Sequence, residues 1–326
     1  MNRSRAILSA VALTFSAVSG TYAQSVISAH SGLIHYVEGQ ALLDSKPVEV
    51  KISKFPEMKE NMELKTTDGR AEVLLNPGAF LRLGENSSVR MVSNKLSDSR
   101  MEFISGSIVV EADGTATAQG EDIVTILYKD TAVHVRKSGV YRFDSEPAEV
   151  RVYSGEAQIE AAGNSLIAKS ARMVALDSPL AVEKFDPKDL DALSRWSRRR
   201  AEYISMANVS AAKYVSDSGG SWNTAGWYFN PYFGMMTYLP GMGIARSPYG
   251  FDYYSPRTVY SFYRAPVIHS SAPSIGGMSQ PGGATSVPAA SSVGTATPGP
   301  SRAYSSVASA PPATRAASST LAHPGK

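Results

Sequence analysis

The chain contains no cysteine. This absence excludes a disulfide framework, a thiolate nucleophile or metal ligand, and a lipid-bearing cysteine, so stability has to come from a hydrophobic core. A zinc site would need histidines and carboxylates brought together by the fold. The sequence has only 5 histidines, and none of them stands in a His-Glu-x-x-His arrangement. We therefore expect no metal and no other cofactor.

Long apolar runs are also missing. The longest, from Ala6 to Val18, is roughly half the ~20 residues that a membrane span needs. It follows Arg3 and Arg5 and precedes small residues, which is the pattern of a secretory signal peptide over residues 1–23, with cleavage after Ala23. An uncleaved N-terminal anchor is the alternative. We expect an exported protein of the periplasm or cell envelope whose mature part has no transmembrane span.

No strong excess of charge of either sign is present. The chain has 32 Lys and Arg against 29 Asp and Glu, which argues against a nucleic acid partner. The charge is uneven, however, because 7 basic and 2 acidic residues follow Ala207. This split predicts an acidic body with a weakly cationic extension, which either associates peripherally with anionic envelope material or is merely soluble.

Catalytic motifs are absent as well. We find no Gly-x-Ser-x-Gly elbow, no phosphate loop and no dinucleotide fingerprint. The Ser-x-x-Lys element from Ser210 to Lys213 lacks its companion motifs. His134, Glu38, Glu72 and Glu102 occupy strand positions that we expect to point outward. The sequence therefore predicts a protein that is not an enzyme.

What the sequence does contain is alternation of apolar and polar residues between Gly32 and Val182, which is typical of β-strands. The alternating faces are separated by the turn residues Asn76-Pro77-Gly78 and Gly84-Glu85-Asn86. These faces comprise Ala71, Val73 and Leu75, then Ala79, Leu81 and Leu83, then Val89 and Met91. The pattern predicts an all-β domain over residues 24–185, built as a sandwich or barrel of hairpins.

A weak internal repeat centres on Gly39, Gly106 and Gly155. In each copy an apolar residue lies three positions before the glycine, and further apolar residues lie two and four positions after it. We interpret each copy as a strand, a bend and a second strand. The unequal spacing of the glycines favours similar hairpins within one domain over a regular solenoid.

The order of several short motifs over residues 30–180 resembles the FecR-domain family. These motifs are Gly39-Gln40-Ala41, Asp68-Gly69-Arg70-Ala71-Glu72-Val73, Leu81-Arg82-Leu83, Ile104-Ser105-Gly106-Ser107-Ile108, Ser138-Gly139-Val140-Tyr141-Arg142-Phe143 and Tyr153-Ser154-Gly155-Glu156-Ala157. In the family's regulators this domain lies outside the cytoplasmic membrane, receives a signal from an outer-membrane receptor, and is joined through a membrane helix to a cytosolic part that acts on a sigma factor. We identify no such helix here, so the resemblance implies the fold and a habit of contacting proteins.

After the β domain the spacing of apolar residues changes to a helical period, which predicts an α-helix over residues 186–206. Asp186 can cap it, Pro187 suits the first helical position, and one stripe carries Leu190, Leu193, Ser197, Ala201 and Ile204. The helix also carries Trp196 beside Arg198, Arg199 and Arg200. This group is either an anionic-ligand patch anchored by the tryptophan, or a solvated helix face whose tryptophan packs on the sheet.

Residues 207–266 form a segment rich in aromatic residues, glycine and proline. It holds 14 aromatic residues between positions 219 and 264. The segment can dock on a partner, stack on sugar rings or wrap the β domain, and we expect residues 24–206 to fold without it. The candidate partner-binding residues are Trp222, Trp227, Tyr228, Tyr232, Phe233, Arg198, Arg199 and Arg200.

The last 60 residues, 267–326, contain 45 Ser, Ala, Pro, Gly or Thr and should be disordered. Taken together, these features predict a non-catalytic envelope protein that binds an envelope protein or polysaccharide. An accessory component of envelope signalling, with its sigma-factor regulator encoded elsewhere, is the alternative.

Overall fold

The structure, a computed structural model, describes residues 30–52, 54–113, 121–177, 179–219 and 222–263. The predicted signal peptide and the predicted disordered tail lie outside the described residues. Within the described part, 15 strands form one sheet. They are β1 (Leu33–Leu43), β2 (Lys46–Pro47), β3 (Glu63–Leu74), β4 (Ala79–Leu83), β5 (Ser88–Lys95), β6 (Asp98–Ser105), β7 (Ser107–Ala112), β8 (Val124–Tyr128), β9 (Thr131–Val135), β10 (Gly139–Ser145), β11 (Ala148–Ser154), β12 (Glu156–Ala161), β13 (Asn164–Lys169), β14 (Arg172–Ala175) and β15 (Val182–Lys184).

A smaller set of elements follows this sheet. It comprises α1 (Ala192–Asp217), β16 (Gly226–Asn230), β17 (Met235–Leu239), β18 (Ile244–Arg246), β19 (Asp252–Tyr254) and α2 (Pro256–Tyr263). Strands β16 and β17 form one antiparallel hairpin, and β18 and β19 form another.

The main sheet is nearly closed and barrel-like. Its order is β13-β12-β9-β8-β6-β5-β3-β4-β7-β10-β11-β14-β15, with β1 and β2 attached beside β3. Strands β13 and β14, from opposite ends of this order, approach each other. The pairs are antiparallel apart from β6 with β8. The all-β prediction is therefore confirmed, with the barrel arrangement favoured over two separate sheets.

The predicted strand faces are confirmed. Ala71, Val73 and Leu75, together with the predicted faces on β4 and β5, are buried in the main core inside the sheet. The predicted Asn76-Pro77-Gly78 turn joins β3 to β4, and the amide of Ala79 donates to the carbonyl oxygen of Asn76 at 2.8 Å. Period-two alternation fixes which side chains face inward.

The three repeated glycines also lie where the repeat predicts bends. Gly106 separates β6 from β7 and Gly155 separates β11 from β12, whereas Gly39 lies at a register shift within β1. Gly106 has φ of 85° and Gly155 has φ of 92°, in the left-handed region. A Cβ on Gly155 would lie 2.2 Å from the hydroxyl oxygen of Tyr141, so both backbone geometry and space require glycine there.

The outer face of β3, β4 and β7 forms a second, buried interface. Leu74 and Phe80 point away from the main core and pack with Ile204 of α1 and with Trp227 and Tyr238 of the β16–β17 hairpin. Phe80 and Trp227 meet edge to face, with ring centroids 5.1 Å apart. The sheet is consequently covered on this side by residues from the second half of the chain.

The position of α1 differs from the prediction of residues 186–206. The helix begins at Ala192, because Asp191 is the cap that forms: its Oδ1 accepts from the amide of Ser194 at 2.8 Å. Asp191 is also paired with Arg142. Asp186 instead closes a short turn by accepting from the amide of Lys188 at 2.9 Å. The predicted start was therefore wrong.

The end of α1 was also misplaced. The helix continues to Asp217, because Ala211, Ala212 and Val215 are buried against Tyr228 and Leu239 of the β16–β17 hairpin. The boundary between a helix ending at 206 and an aromatic segment starting at 207 is therefore wrong. Tertiary burial extends the helix past the point where its apolar stripe loses regularity.

The aromatic segment wraps the chain's own sheet and α1, which is one of the three predicted alternatives. Asn208 on α1 joins both small hairpins: its Nδ2 donates to the carbonyl oxygens of Tyr238 at 2.8 Å and Tyr254 at 3.1 Å. Its Oδ1 accepts from the amide of Tyr254 at 2.8 Å. The expectation that residues 24–206 fold without this segment conflicts with the apolar face that the segment covers.

Candidate functional site

A buried cluster of charged residues lies between the sheet and α1. It starts at His35, the extra residue of a bulge in β1, where the register shifts between Ile34 and Tyr36. Before the bulge Ile34 points into the main core, and after it Tyr36 lies opposite Glu72 on the outer face. The bulge therefore directs His35 towards Glu72, which is how such irregularities commonly re-aim a side chain.

Glu72 is the centre of this cluster, and it lies on the outward face of β3 as predicted, but that face is covered by another layer of the fold. Its side chain is fully buried. Arg82 Nε donates to its Oε2 at 2.8 Å, and Arg200 Nη2 donates to its Oε1 at 2.8 Å. Burial alone would raise the pKa of Glu72, but Arg200 and Arg82 outweigh it and hold that pKa well below its usual range. Glu72 is therefore an anion that ties β3 to β4 and α1.

The cluster continues across the sheet through Arg82. Its Nη1 donates to Glu111 Oε2 at 2.7 Å, and Ser247 donates its hydroxyl hydrogen to the other oxygen of Glu111. Arg82 and Glu111 are both buried. These bonds connect β4 and β7 to the loop between β18 and β19.

His35 has both ring nitrogens engaged. The amide of Met236 donates to Nε2 at 3.0 Å, so the proton of the neutral ring lies on Nδ1, which donates to Glu72 Oε1 at 2.9 Å. Burial lowers the pKa of His35, and Arg200 and Arg82 act in the same direction against the opposing effect of Glu72. His35 is therefore a neutral structural link between β1 and β17.

An open groove of about 520 Å³ lies above this cluster, and we call it the α1 groove. It runs between β1, the loop that follows β2, the first half of α1 and the turn between β16 and β17. Its lining consists of His35, Tyr36, Glu38, Val50, Lys51, Ile52, Phe55, Trp196, Arg199, Arg200, Tyr203, Phe233, Gly234 and Met235.

The inner wall of the α1 groove is a stack of aromatic and cationic groups. The guanidinium carbon of Arg200 lies 4.0 Å from the ring centroid of Tyr36, and Trp196 donates from Nε1 to Glu38 at 2.9 Å. Trp196 is thus packed on the sheet, which agrees with one of the two predicted alternatives for this helix.

The outer rim of the α1 groove is different, because it exposes apolar surface beside free cations. Tyr203 is 56% exposed and Ile52 is 76% exposed. Arg198 and Arg199 are exposed and form no ion pair within the described ranges. The arrangement suits a ligand that combines negative charge with apolar or ring surface.

The eight predicted partner-binding residues divide into three groups. Trp227 and Tyr228 are buried, so they stabilise the fold and are not accessible to a partner, whereas Trp222 is partly buried against Tyr228. Arg200 is held by Glu72. The remaining four are exposed: Arg198, Arg199, Tyr232 and Phe233. Of these, Arg199 and Phe233 line the α1 groove.

Sequence reasoning missed the contributions of His35, Glu72, Tyr203 and Ile52. The alternation of apolar and polar residues correctly places Glu72 and Arg82 on the outward face of their strands. The alternation does not show that another layer of the fold covers that face. One available signal was the apolar character of neighbouring outward positions, namely Leu74, Phe80 and Val109. Apolar residues on both faces of a strand indicate burial on both faces.

Among the described residues, no group of three or more His, Asp or Glu is arranged to hold a metal ion. The same ranges contain no helix with the length and apolar character needed to cross a membrane.

Comparisons with known proteins found only partial structural similarity. No protein-family model matches the chain, and no curated protein matches it. Two crystal structures described as a proposed anti-sigma factor from Parabacteroides distasonis are similar to part of it. The structure at 2.50 Å shares 12% identity and a TM-score of 0.33 over 39% of this chain and 61% of its own. The structure at 1.65 Å shares 12% identity and a TM-score of 0.34 over 42% and 64%. The chain thus spans less than two thirds of the structures it matches.

Proposed function

We propose that this chain is an exported, non-catalytic protein of the bacterial cell envelope that binds another envelope component, a protein or a polysaccharide, through the α1 groove. The export pattern of residues 1–23 supports the compartment. The order of glycine-centred motifs supports a FecR-like β domain as the scaffold. Helix α1 and the two small hairpins complete this scaffold, and the groove is walled by β1, the loop that follows β2, α1 and the turn between β16 and β17.

The observation that carries the proposal is the rim of the α1 groove. Tyr203, Ile52 and Phe233 expose apolar side chains within one groove, beside the unpaired Arg199. Exposed clusters of this kind mark interaction sites more often than ordinary surface does. The polar groups at the base of the groove are already used, because His35 has both nitrogens bonded and Glu72 is paired. This favours binding over acid-base catalysis.

A role as an accessory of envelope signalling is the second candidate. It is favoured by the FecR-like motifs, whose central glycines form the bends of the β domain. In that case the component bound at the α1 groove would be a receptor or a regulator protein. In the first case it could equally be a structural protein or a polymer.

Site-specific photocrosslinking in living cells tests the proposal. A photoreactive residue replaces Tyr203 on the groove rim, and the matched control replaces Ile167 of β13, which is similarly exposed at 54%. We expect a crosslinked envelope product from position 203 and none from position 167. Equal products at both positions, or none at 203 in correctly exported protein, would contradict a specific site. The identity of the product separates the two candidates.

A further inference from the structure

Two neighbouring turns beside the α1 groove expose large apolar side chains together. Ile52 lies on the turn between Lys51 and Lys54, and Tyr232 and Phe233 lie on the turn between β16 and β17. The exposed fractions are 76% for Ile52, 77% for Tyr232 and 40% for Phe233. Ile52 and Gly234 line the same groove, and a Cβ built on Gly234 would lie within 3.8 Å of Cγ1 of Ile52, so the two turns lie side by side. We call these residues the twin-turn tip.

The fold fixes the twin-turn tip in its exposed position. Asn230 Oδ1 accepts from the amides of Tyr232 at 2.9 Å and Phe233 at 3.3 Å, and its Nδ2 donates to the carbonyl oxygen of Ala207 on α1 at 2.7 Å. On the other turn, the amide of Lys54 donates to the carbonyl oxygen of Lys51 at 3.0 Å. These bonds restrain the backbone of both turns, which keeps the apolar side chains directed at solvent.

The charges around the twin-turn tip are mainly positive. Lys51 and Lys54 flank Ile52, and Arg199 of α1 lines the same groove as Ile52 and Phe233. Lys51 has one acidic neighbour, Glu49, at 3.0 Å, but both side chains are about seven-tenths exposed, so this pair is strongly screened. Lys54, Arg198 and Arg199 have no ion-pair partner in the described part of the chain.

The chain's own C-terminal residues do not suit this surface. Residues 264–326 contain Arg264, Arg302, Arg315 and Lys326 and no Asp or Glu. A basic segment would be repelled by the lysines and arginines around the tip. The same composition means that one large anionic surface would attract both the tip and these residues, whereas a short acidic peptide could satisfy only one of them.

We infer that the twin-turn tip is a docking surface for an anionic phospholipid membrane, an inference that rests on the proposed envelope location and goes beyond the protein or polysaccharide proposed for the α1 groove. Exposed aliphatic and aromatic side chains enter the headgroup region, and flanking Lys and Arg side chains attract anionic headgroups, as in other peripheral membrane sites. Ile52, Tyr232 and Phe233 are the apolar anchors, and Lys51, Lys54 and Arg199 supply the charge.

Flotation of the purified chain with lipid vesicles tests this inference. Phosphatidylethanolamine vesicles are compared with the same vesicles containing phosphatidylglycerol, at low and at high salt. We expect flotation with the anionic vesicles alone, and less of it at high salt because the attraction is screened. Equal flotation with both vesicle types would overturn the electrostatic part of the inference.

Two double variants locate the binding surface. One is Ile52→Ser with Phe233→Ser, and the other is Lys51→Glu with Lys54→Glu. Their matched controls are Ile167→Ser and the pair Lys169→Glu with Lys184→Glu, on exposed positions of β13 and β15. We expect each tip variant to partition at least roughly tenfold more weakly than the wild type, and each control to bind normally. Binding that survives both tip variants, in protein with an unchanged Tm, would overturn the inference in favour of the basic C-terminal residues.

The failure of this inference is distinguishable from failure of the proposed function. If no anionic vesicle binds but the crosslinker at position 203 captures an envelope protein or polysaccharide, the lipid inference is wrong and the proposed function stands.

Discussion

Arg200 of α1 donates a hydrogen bond of 2.8 Å to Glu72 of β3, and the Glu72 carboxylate is fully buried while Arg200 is largely buried. The bond joins the second half of the chain to the β domain through a buried carboxylate. Since a buried charge without its partner is costly, the stability of the sheet depends on α1 packing in this position.

The first prediction concerns that carboxylate. Glu72→Gln removes the charge that balances Arg82 and Arg200, and it should lower the free energy of unfolding by about 3–5 kcal/mol. The matched control is Glu102→Gln, because Glu102 also sits on a strand and pairs with an arginine but is 40% exposed. That change should cost less than about 1 kcal/mol. Denaturant unfolding of both variants measures the difference, and equal costs would show that the cluster is not buried.

The second prediction concerns pH. Burial holds the pKa of His35 below its usual value of 6.5, so the unfolded chain takes up this proton at higher pH than the folded chain. Stability from this residue is therefore complete above about pH 6.5 and is lost as the pH falls below that value. In the native chain this loss should be up to about 1.4 kcal/mol per pH unit, and in His35→Gln it should be absent.

The measurement is the free energy of unfolding of both proteins between neutral and mildly acidic pH. Because both retain Glu72, Glu111, Arg82 and Arg200, the difference between their slopes reports on His35. Parallel curves would mean that the pKa of His35 is the same in the folded and the unfolded chain, and therefore that burial does not lower it.

The third prediction concerns Asn208, which bonds to both small hairpins. Asn208→Ala leaves the buried carbonyl oxygens of Tyr238 and Tyr254 without this donor, and it should cost about 2–3 kcal/mol even though alanine favours the helix. Glu202→Ala, at an exposed position of the same helix, is the control and should be nearly neutral. Thermal melting of the two proteins tests this prediction. An Asn208→Ala variant as stable as the control would contradict the role of Asn208 in joining the two hairpins to α1.

The sequence allowed the all-β class and several strand faces of the main sheet to be predicted, but not its strand order or the choice between sandwich and barrel. The inward faces from Ala71 to Met91 and the bends at Gly106 and Gly155 follow from local alternation and from turn chemistry, which do not depend on distant residues. The start of α1 was harder to predict from the sequence, because Asp186 and Asp191 are both acceptable caps. Pairing of Asp191 with Arg142, a contact distant in sequence, decides between them.

The candidate site was predicted only in part. Arg199 and Phe233 were identified from a basic cluster and an aromatic run, and both line the α1 groove. Trp227 and Tyr228 belong to the same run, but strand pairing turns them towards Phe80 and α1. Composition gives the density of aromatic residues, whereas the face of each one depends on the register of the β16–β17 hairpin and on the layer beneath it.

The fourth prediction uses this division within one hairpin. Trp227→Ala with Tyr228→Ala removes buried side chains and should lose at least about 3–5 kcal/mol of stability. Tyr232→Ala with Phe233→Ala removes exposed side chains from the adjoining turn, and its Tm should stay within a few degrees of the wild type. Each double variant deletes two adjacent aromatic rings and the two pairs lie five positions apart, so each serves as the control for the other.

The most direct test of the whole account is the envelope association of the Tyr232→Ala, Phe233→Ala double variant, measured by fractionation of cells that export it. Our account predicts that this variant leaves the envelope fraction while its Tm is retained, since it lacks the exposed anchors beside the α1 groove and keeps every buried contact. A variant that remains in the envelope fraction to the same extent as the wild-type chain would contradict the account.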